Sequence, residues 1–175
     1  EYVLMDFDGV IADTFQMCYE ISRQVWPGLT REEYVKKFIG DVNETLTEIK
    51  SAGLNFFALY SARILDQKLV TGMDDILKFL GQNFTMILVS STESEPIKEF
   101  LRYHHLLEHF SAIFGNDVPS SKRQKIQLIL GHYKIKPAEC VLVTDTLGDL
   151  LDAKGLGVPS IAVTWGYHNE KILRD

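Results

Sequence analysis

The chain is short of cysteine, of surplus positive charge and of long apolar runs, and each shortage removes a class of protein. Its two cysteines, Cys18 and Cys140, sit in apolar contexts with neither a CxxC motif nor metal-ligand spacing. That argues against a disulfide framework and for a reducing, cytoplasmic setting. Lys and Arg number 18 against 24 Asp and Glu, a formal net charge of -6. Nucleic acid and anionic membrane, which call for clustered Lys and Arg, are therefore not expected as main partners. No apolar run approaches the ~20 residues of a membrane-spanning helix, and the sequence has no internal repeat or low-complexity segment. Glu1 stands where an initiator Met would, so a trimmed N-terminus is expected, and with it the loss of any targeting segment that preceded it.

What is present reads as an α/β protein. At 175 residues, 46% of them hydrophobic, one compact domain with a subdomain inserted in it is expected. Short runs rich in Val, Ile, Leu or Met at 2–5, 85–89, 140–143 and 161–163 predict strands, with 112–114 a weaker fifth. Amphipathic segments lie between them: Ser94-Glu95-Pro96-Ile97 opens one helix, and Gly155 closes the one that follows Asp149. Strands alternating with helices predict a parallel sheet, whose ligands bind beyond the carboxyl ends of the strands. Asp6, Ser90 and Asp145 each follow such a run, so they are expected in one pocket. The stretch 14–82 differs, since it shows no convincing strand and reads as consecutive helices. Thr30-Arg31-Glu32-Glu33 is a capping box, and Gly53 and Gly72 are expected helix stops. Residues 1–13 and 83–175 are thus read as the core and 14–82 as a helical insert over the strand ends, placed to act as a lid.

Asp6-Phe7-Asp8-Gly9-Val10 is the sharpest local signal. Two carboxylates one residue apart at a strand end can take different parts in one reaction, Asp6 as nucleophile and Asp8 as proton donor and then acceptor, while Gly9 lets the backbone turn. Ile87-Leu88-Val89-Ser90 ends a strand in a hydroxyl, with Ser91 and Thr92 behind it. Asp145 and Asp149, four apart at a strand-to-helix junction, can face one cation, and hard oxygen ligands suit Mg²⁺.

Asp6-Phe7-Asp8-Gly9-Val10-Ile11-Ala12-Asp13-Thr14 resembles the first motif of the haloacid dehalogenase-like superfamily, in its phosphoglycolate-phosphatase-like and beta-phosphoglucomutase-like branch. Ser90 matches the second motif, and Thr144-Asp145-Thr146-Leu147-Gly148-Asp149 resembles the acidic fourth, with Thr144 where the family commonly has Gly. The segment from Ala153 to Tyr167 resembles the end of the family's core. The resemblance implies a Rossmann-like parallel-sheet core with helices on both faces and a small all-helical cap. It also implies a Lys from the third motif, for which family spacing favours Lys122 with Lys125, one helical turn later, as alternative. Mg²⁺ would be held by Asp6, the backbone carbonyl of Asp8, Asp145 and Asp149, the last directly or through water. Ser90, Ser91 and Gly9 would meet the phosphate. The expected function is a Mg²⁺-dependent phosphatase acting on a small phosphorylated metabolite through an aspartyl phosphate, as a monomer or small homo-oligomer. A beta-phosphoglucomutase-like phosphomutase and a catalytically inactive binding or regulatory protein are the alternatives.

Other groups read as structural. His104, His105 and His109 lack a third ligand at useful spacing. Phe56, Phe57 and Tyr60 have the helical spacing of core packing, with substrate contact as the alternative, and Glu32, Glu33, Lys36 and Lys37 that of a solvated face. Asp13 and Thr14 lead into the insert, with Asp13 the minor candidate for a hinge or substrate contact.

Overall fold

A computed structural model describes residues 1–40, 42–118 and 121–174. In chain order the elements are β1 (Tyr2–Met5), β2 (Ala12–Asp13), α1 (Phe15–Ser22), α2 (Arg31–Lys36), α3 (Val42–Ser51), α4 (Phe56–Ser61), β3 (Lys68–Leu69), α5 (Met73–Asn83), β4 (Thr85–Val89), α6 (Ser94–Tyr103), β5 (Phe110–Phe114), α7 (Lys122–Tyr133), β6 (Cys140–Thr144), α8 (Leu147–Gly155), β7 (Ser160–Ala162) and α9 (Glu170–Leu173). Among the described residues, no helix is long and apolar enough to cross a membrane.

Five strands form one sheet in the order β5-β4-β1-β6-β7, every pair parallel. β1 is central because its residues are apolar on both faces, as a strand covered by helices on both sides must be. Its alternate side chains enter two separate cores. Val3 and Met5, with Met86 and Leu88 of β4, join Ile97 and Phe100 on one face. Leu4, with Ile87, Val89 and Leu142, joins Ile126 and Ile129 of α7 on the other. Leu4, Ile87 and Leu142 are fully buried, and each contributes about 2 kcal/mol relative to exposure. The register Met5 opposite Leu88 and Val143 brings three strand ends level, so Asp6, Ser90 and Asp145 emerge together. The Asp6 amide extends that ladder, donating to the Val143 carbonyl at 3.0 Å.

The stretch 14–82 is not wholly helical, contrary to expectation. Lys68–Leu69 pairs antiparallel with Ala12–Asp13, and the Val70 amide donates to the Ile11 carbonyl at 2.9 Å. Two residues per strand are too few to show a period. This ribbon carries the chain out of the sheet and back. Gly72 also departs from its reading, since with φ +79 it precedes α5 rather than ending a helix; Gly53, at φ +83, follows α3 as expected. α5 packs on β4 and on the turn Leu107–His109, whereas α1 to α4 stand beyond the strand ends. Two contacts seat them there. The His168 ring accepts from the Leu147 amide through Nδ1 at 2.9 Å, which leaves Nε2 to donate to the Val35 carbonyl at 3.0 Å. Gly148 comes so close to the loop after α2 that a Cβ would stand 2.7 Å from the Gly40 carbonyl oxygen.

Candidate active site

The turn after β1 starts the site. Gly9 has φ +74, and a Cβ there would overlap the Asp145 carboxylate, so only glycine admits Asp145 beside the turn. Across the sheet, a capping box between Ser121 and Gln124 sets the first residue of α7. Lys122 and Lys125 therefore share a helix face one turn apart.

Structure separates the two lysines. Lys122 Nζ lies 2.7 Å from Asp6 Oδ2 and 2.5 Å from Asp149 Oδ2, with all three side chains at most 15% exposed. Lys125 Nζ donates to the Ser90 carbonyl at 2.5 Å, and burial, reinforced by Lys122, pushes its ammonium down to about 8. One ammonium facing two carboxylates leaves a negative charge in excess. Burial drives the Asp6 pKa well above the ordinary carboxylate value, against the pull of Lys122. Burial acts on Asp149 too, but Lys122 and the Thr144 hydroxyl hold that carboxyl below its usual value. Lys122, though desolvated, is raised by Asp149 and Asp6 and stays charged. The Thr144 hydroxyl is 2.7 Å from Asp149 Oδ2 and 3.4 Å from Asp6 Oδ2; its single proton serves Asp149.

Asp8 is held differently. Its Oδ1 accepts from the Thr14 and Tyr60 hydroxyls and its Oδ2 from the Thr92 hydroxyl, each at 2.7 Å. Tyr60 comes from α4 and is fully buried, so the insert reaches this carboxylate directly. Ser90 is buried, and its Oγ accepts from the Thr92 amide at 3.0 Å. Ser91 lines the same cavity.

Asp145 Oδ2 accepts from the Tyr167 amide at 2.6 Å, while its Oδ1 is buried with no hydrogen-bond partner. Burial first, then the charge of Asp149, raise this carboxyl to about 7 despite the Tyr167 amide. Among the described residues, no three His, Cys, Asp or Glu side chains stand close enough to cage a metal ion as they are. Lys122 Nζ already occupies the gap between Asp6 and Asp149.

Asp6, Asp8, Ser90, Ser91, Lys122, Asp145 and Asp149 all line one cavity of about 470 Å³, while Gly9 sits beneath it. Four further residues act here without a local sequence signal. Thr14, rather than the exposed Asp13, reaches the site; Thr144 and Tyr60 supply hydroxyls, and His168 joins α8 to the insert. Tyr60 had been read as core, and it is buried, but its polar end points at Asp8. Phe56 packs against the main core as expected, and with Phe57 it also stands in the cavity wall. His109 packs against Gly81 and His104 against the Phe100 ring.

At this site the central strand of a parallel sheet ends in paired aspartates that face a buried lysine and two more aspartates. The chain belongs to the haloacid dehalogenase-like hydrolase family, whose model matches residues 3–163. It is similar to the phosphoglycolate phosphatase of Vibrio parahaemolyticus, 25% identical over an alignment covering 97% of this chain and 86% of that protein. Among solved structures, a haloacid dehalogenase-like family protein from Streptococcus pneumoniae superposes with a TM-score of 0.81 at 18% identity, covering 99% of this chain and 89% of the other. CbbY from Rhodobacter sphaeroides, bound to xylulose bisphosphate, gives 0.79 at 19% identity, covering 99% and 90%. These likenesses in structure show the shared fold.

Removing Lys122 isolates two buried carboxylates. Lys122→Met is expected to lower stability by about 3–5 kcal/mol at neutral pH. Unpaired, Asp6 and Asp149 hold protons more tightly folded than unfolded, so acidification favours the folded variant and the deficit shrinks as pH falls. Denaturant unfolding of both proteins at neutral and mildly acidic pH checks this; a deficit unchanged with pH contradicts it.

Proposed function

We propose that this hydrolase is a Mg²⁺-dependent phosphatase that cleaves the monoester of a small phosphorylated metabolite through an aspartyl phosphate on Asp6. The observation that carries the reading is the buried Asp6 carboxylate with Lys122 at 2.7 Å and Asp8 two residues away at the mouth of the same turn. Asp6 attacks phosphorus and the ester P–O bond breaks. Asp8 gives its proton to the departing alkoxide oxygen, then takes one from the water that attacks phosphorus and releases Asp6 and inorganic phosphate. Lys122 offsets charge on Asp6 and the phosphoryl oxygens, while the Ser90 hydroxyl and neighbouring backbone amides orient those oxygens. Tyr60, Thr14 and Thr92 hold Asp8 in place. With α1 to α4 over the strand ends, Tyr60 makes the proton donor's position depend on the insert, which acts as a cap that excludes water.

The donor set fits a hard divalent cation. Asp145 Oδ1 is buried without a partner, and a divalent ion bound there would supply one. Asp6, the Asp8 carbonyl, Asp145 and Asp149 would hold it, Asp149 directly or through water. When bound, Mg²⁺ supplies charge neutralisation on the phosphoryl oxygens and keeps the carboxylates ionised.

Release of inorganic phosphate from a panel of phosphorylated metabolites is expected to require Mg²⁺ and to vanish in Asp6→Asn. Metal-independent turnover, or turnover retained by Asp6→Asn, contradicts the reading. Tyr60→Phe frees one of the three hydroxyl contacts on Asp8. Its kcat is expected to fall about tenfold with an alkyl phosphate, which needs a proton on the leaving oxygen, and less with p-nitrophenyl phosphate, which does not. Equal losses on both substrates argue that Tyr60 only supports the fold.

A further inference from the structure

The cavity over the aspartates has two unlike walls. Its floor carries Asp6, Asp8, Asp145, Asp149 and Asp152. The floor's cations are Lys122, engaged with Asp6 and Asp149, and Arg123, whose guanidinium lies against Gly155 and donates to its carbonyl at 3.2 Å. The facing wall, from the insert, is formed largely by Phe38, Ile39, Val42, Leu46, Phe56 and Phe57.

Among the described residues, no Lys, Arg or His of the insert lines this cavity, and the four residues outside the description, Asp41, Pro119, Ser120 and Asp175, add no basic side chain. Several cations of the insert have partners elsewhere. Lys36 pairs with Glu32, Arg63 with Glu20, and Lys37 with Glu48 while it caps the Trp26 ring. A second phosphate or a carboxylate on the substrate would therefore be desolvated against phenylalanines on a wall that carries no cation, with the aspartates and the engaged Lys122 and Arg123 on the opposite side. Such a group costs several kcal/mol to bury unpaired. The cavity of about 470 Å³ would also stay mostly unfilled around a two-carbon acid, whereas a ring packs well against aromatic side chains.

Building on the assignment of Asp6 as the group that takes the phosphoryl, we infer that the substrate is a phosphate monoester whose leaving group is uncharged, apolar and of ring size. That group lodges among Phe38, Leu46, Phe56 and Phe57. Substrates with a second anionic group, such as phosphoglycolate or a sugar bisphosphate, are discriminated against.

The test compares benzyl phosphate with its 4-carboxybenzyl analogue, which have the same ring and primary-alcohol leaving group and differ by one carboxylate. Turnover is measured on the unaltered protein with Mg²⁺, and affinity on Asp6→Asn, which retains the cavity. The added carboxylate is expected to lower both kcat/KM and affinity by about tenfold or more. Leu46→Arg, or Val42→Arg should the first not fold, places a cation in the apolar wall and is expected to reduce or reverse the preference, with phosphoglycolate turnover rising. If neither ester is hydrolysed yet benzyl phosphate still binds Asp6→Asn more tightly, the phosphatase reading fails for these esters and the apolar site stands. Equal or reversed affinities overturn the inference whatever the turnover, as does an arginine variant whose preference is unchanged.

Discussion

Gathering carboxylates at the buried end of a sheet is electrostatically unfavourable, and the rest of the site is arranged around that fact. Asp6 and Asp149 converge on Lys122, which is 5% exposed. In a low-dielectric setting, an ammonium between two carboxylates offsets charge far more strongly than at a surface. The remaining carboxylates are handled by neutral donors. Asp8 takes three hydroxyls and Asp145 one backbone amide, which leaves one Asp145 oxygen unpaired. Each aspartate thus has a different environment, the condition under which four like groups can do different chemistry.

The insert completes this arrangement rather than merely covering it. Tyr60 contributes a hydroxyl from α4, His168 ties the start of α8 to the end of α2, and Gly148 allows the loop after α2 to lie against α8. Asp149 sits on that helix, so the insert bears on the acidic cluster from two directions. Opposite the aspartates the insert presents mainly apolar surface. The same element would thus hold the proton donor and select the leaving group.

The parallel sheet was legible because fully apolar strands between amphipathic helices have few other solutions, and the strand-end polar residues could be placed in one pocket from topology alone. Asp6, Ser90 and Asp145 stood out for that reason, and Asp8 as the second carboxylate of the pair that Asp6 begins. Family spacing favoured Lys122, but composition and helical periodicity alone could not separate it from Lys125, because both lie on one helix face; the capping box at Ser121 and the sheet geometry bring the Lys122 ammonium to Asp6. The ribbon of Ala12–Asp13 with Lys68–Leu69 was invisible because two residues carry no periodicity. Tyr60, Thr14 and His168 were missed because their roles arise from contacts across 52, 6 and 133 residues of sequence, in segments whose local pattern is that of ordinary amphipathic helix or loop. Thr144 was noticed only as an unusual residue beside Asp145; its hydroxyl contact to Asp149 requires the turn itself.

The central claim is that phosphorus is transferred to Asp6. Acid-quenching the protein during turnover of a phosphate monoester, reducing with borohydride and mapping the peptides by mass spectrometry tests it directly, because reduction converts an acyl phosphate to the alcohol. The account predicts homoserine at position 6 and at no other aspartate. Steady turnover with Asp6 unmodified at every quench time, or the reduced residue at Asp8, Asp145 or Asp149 instead, would contradict it.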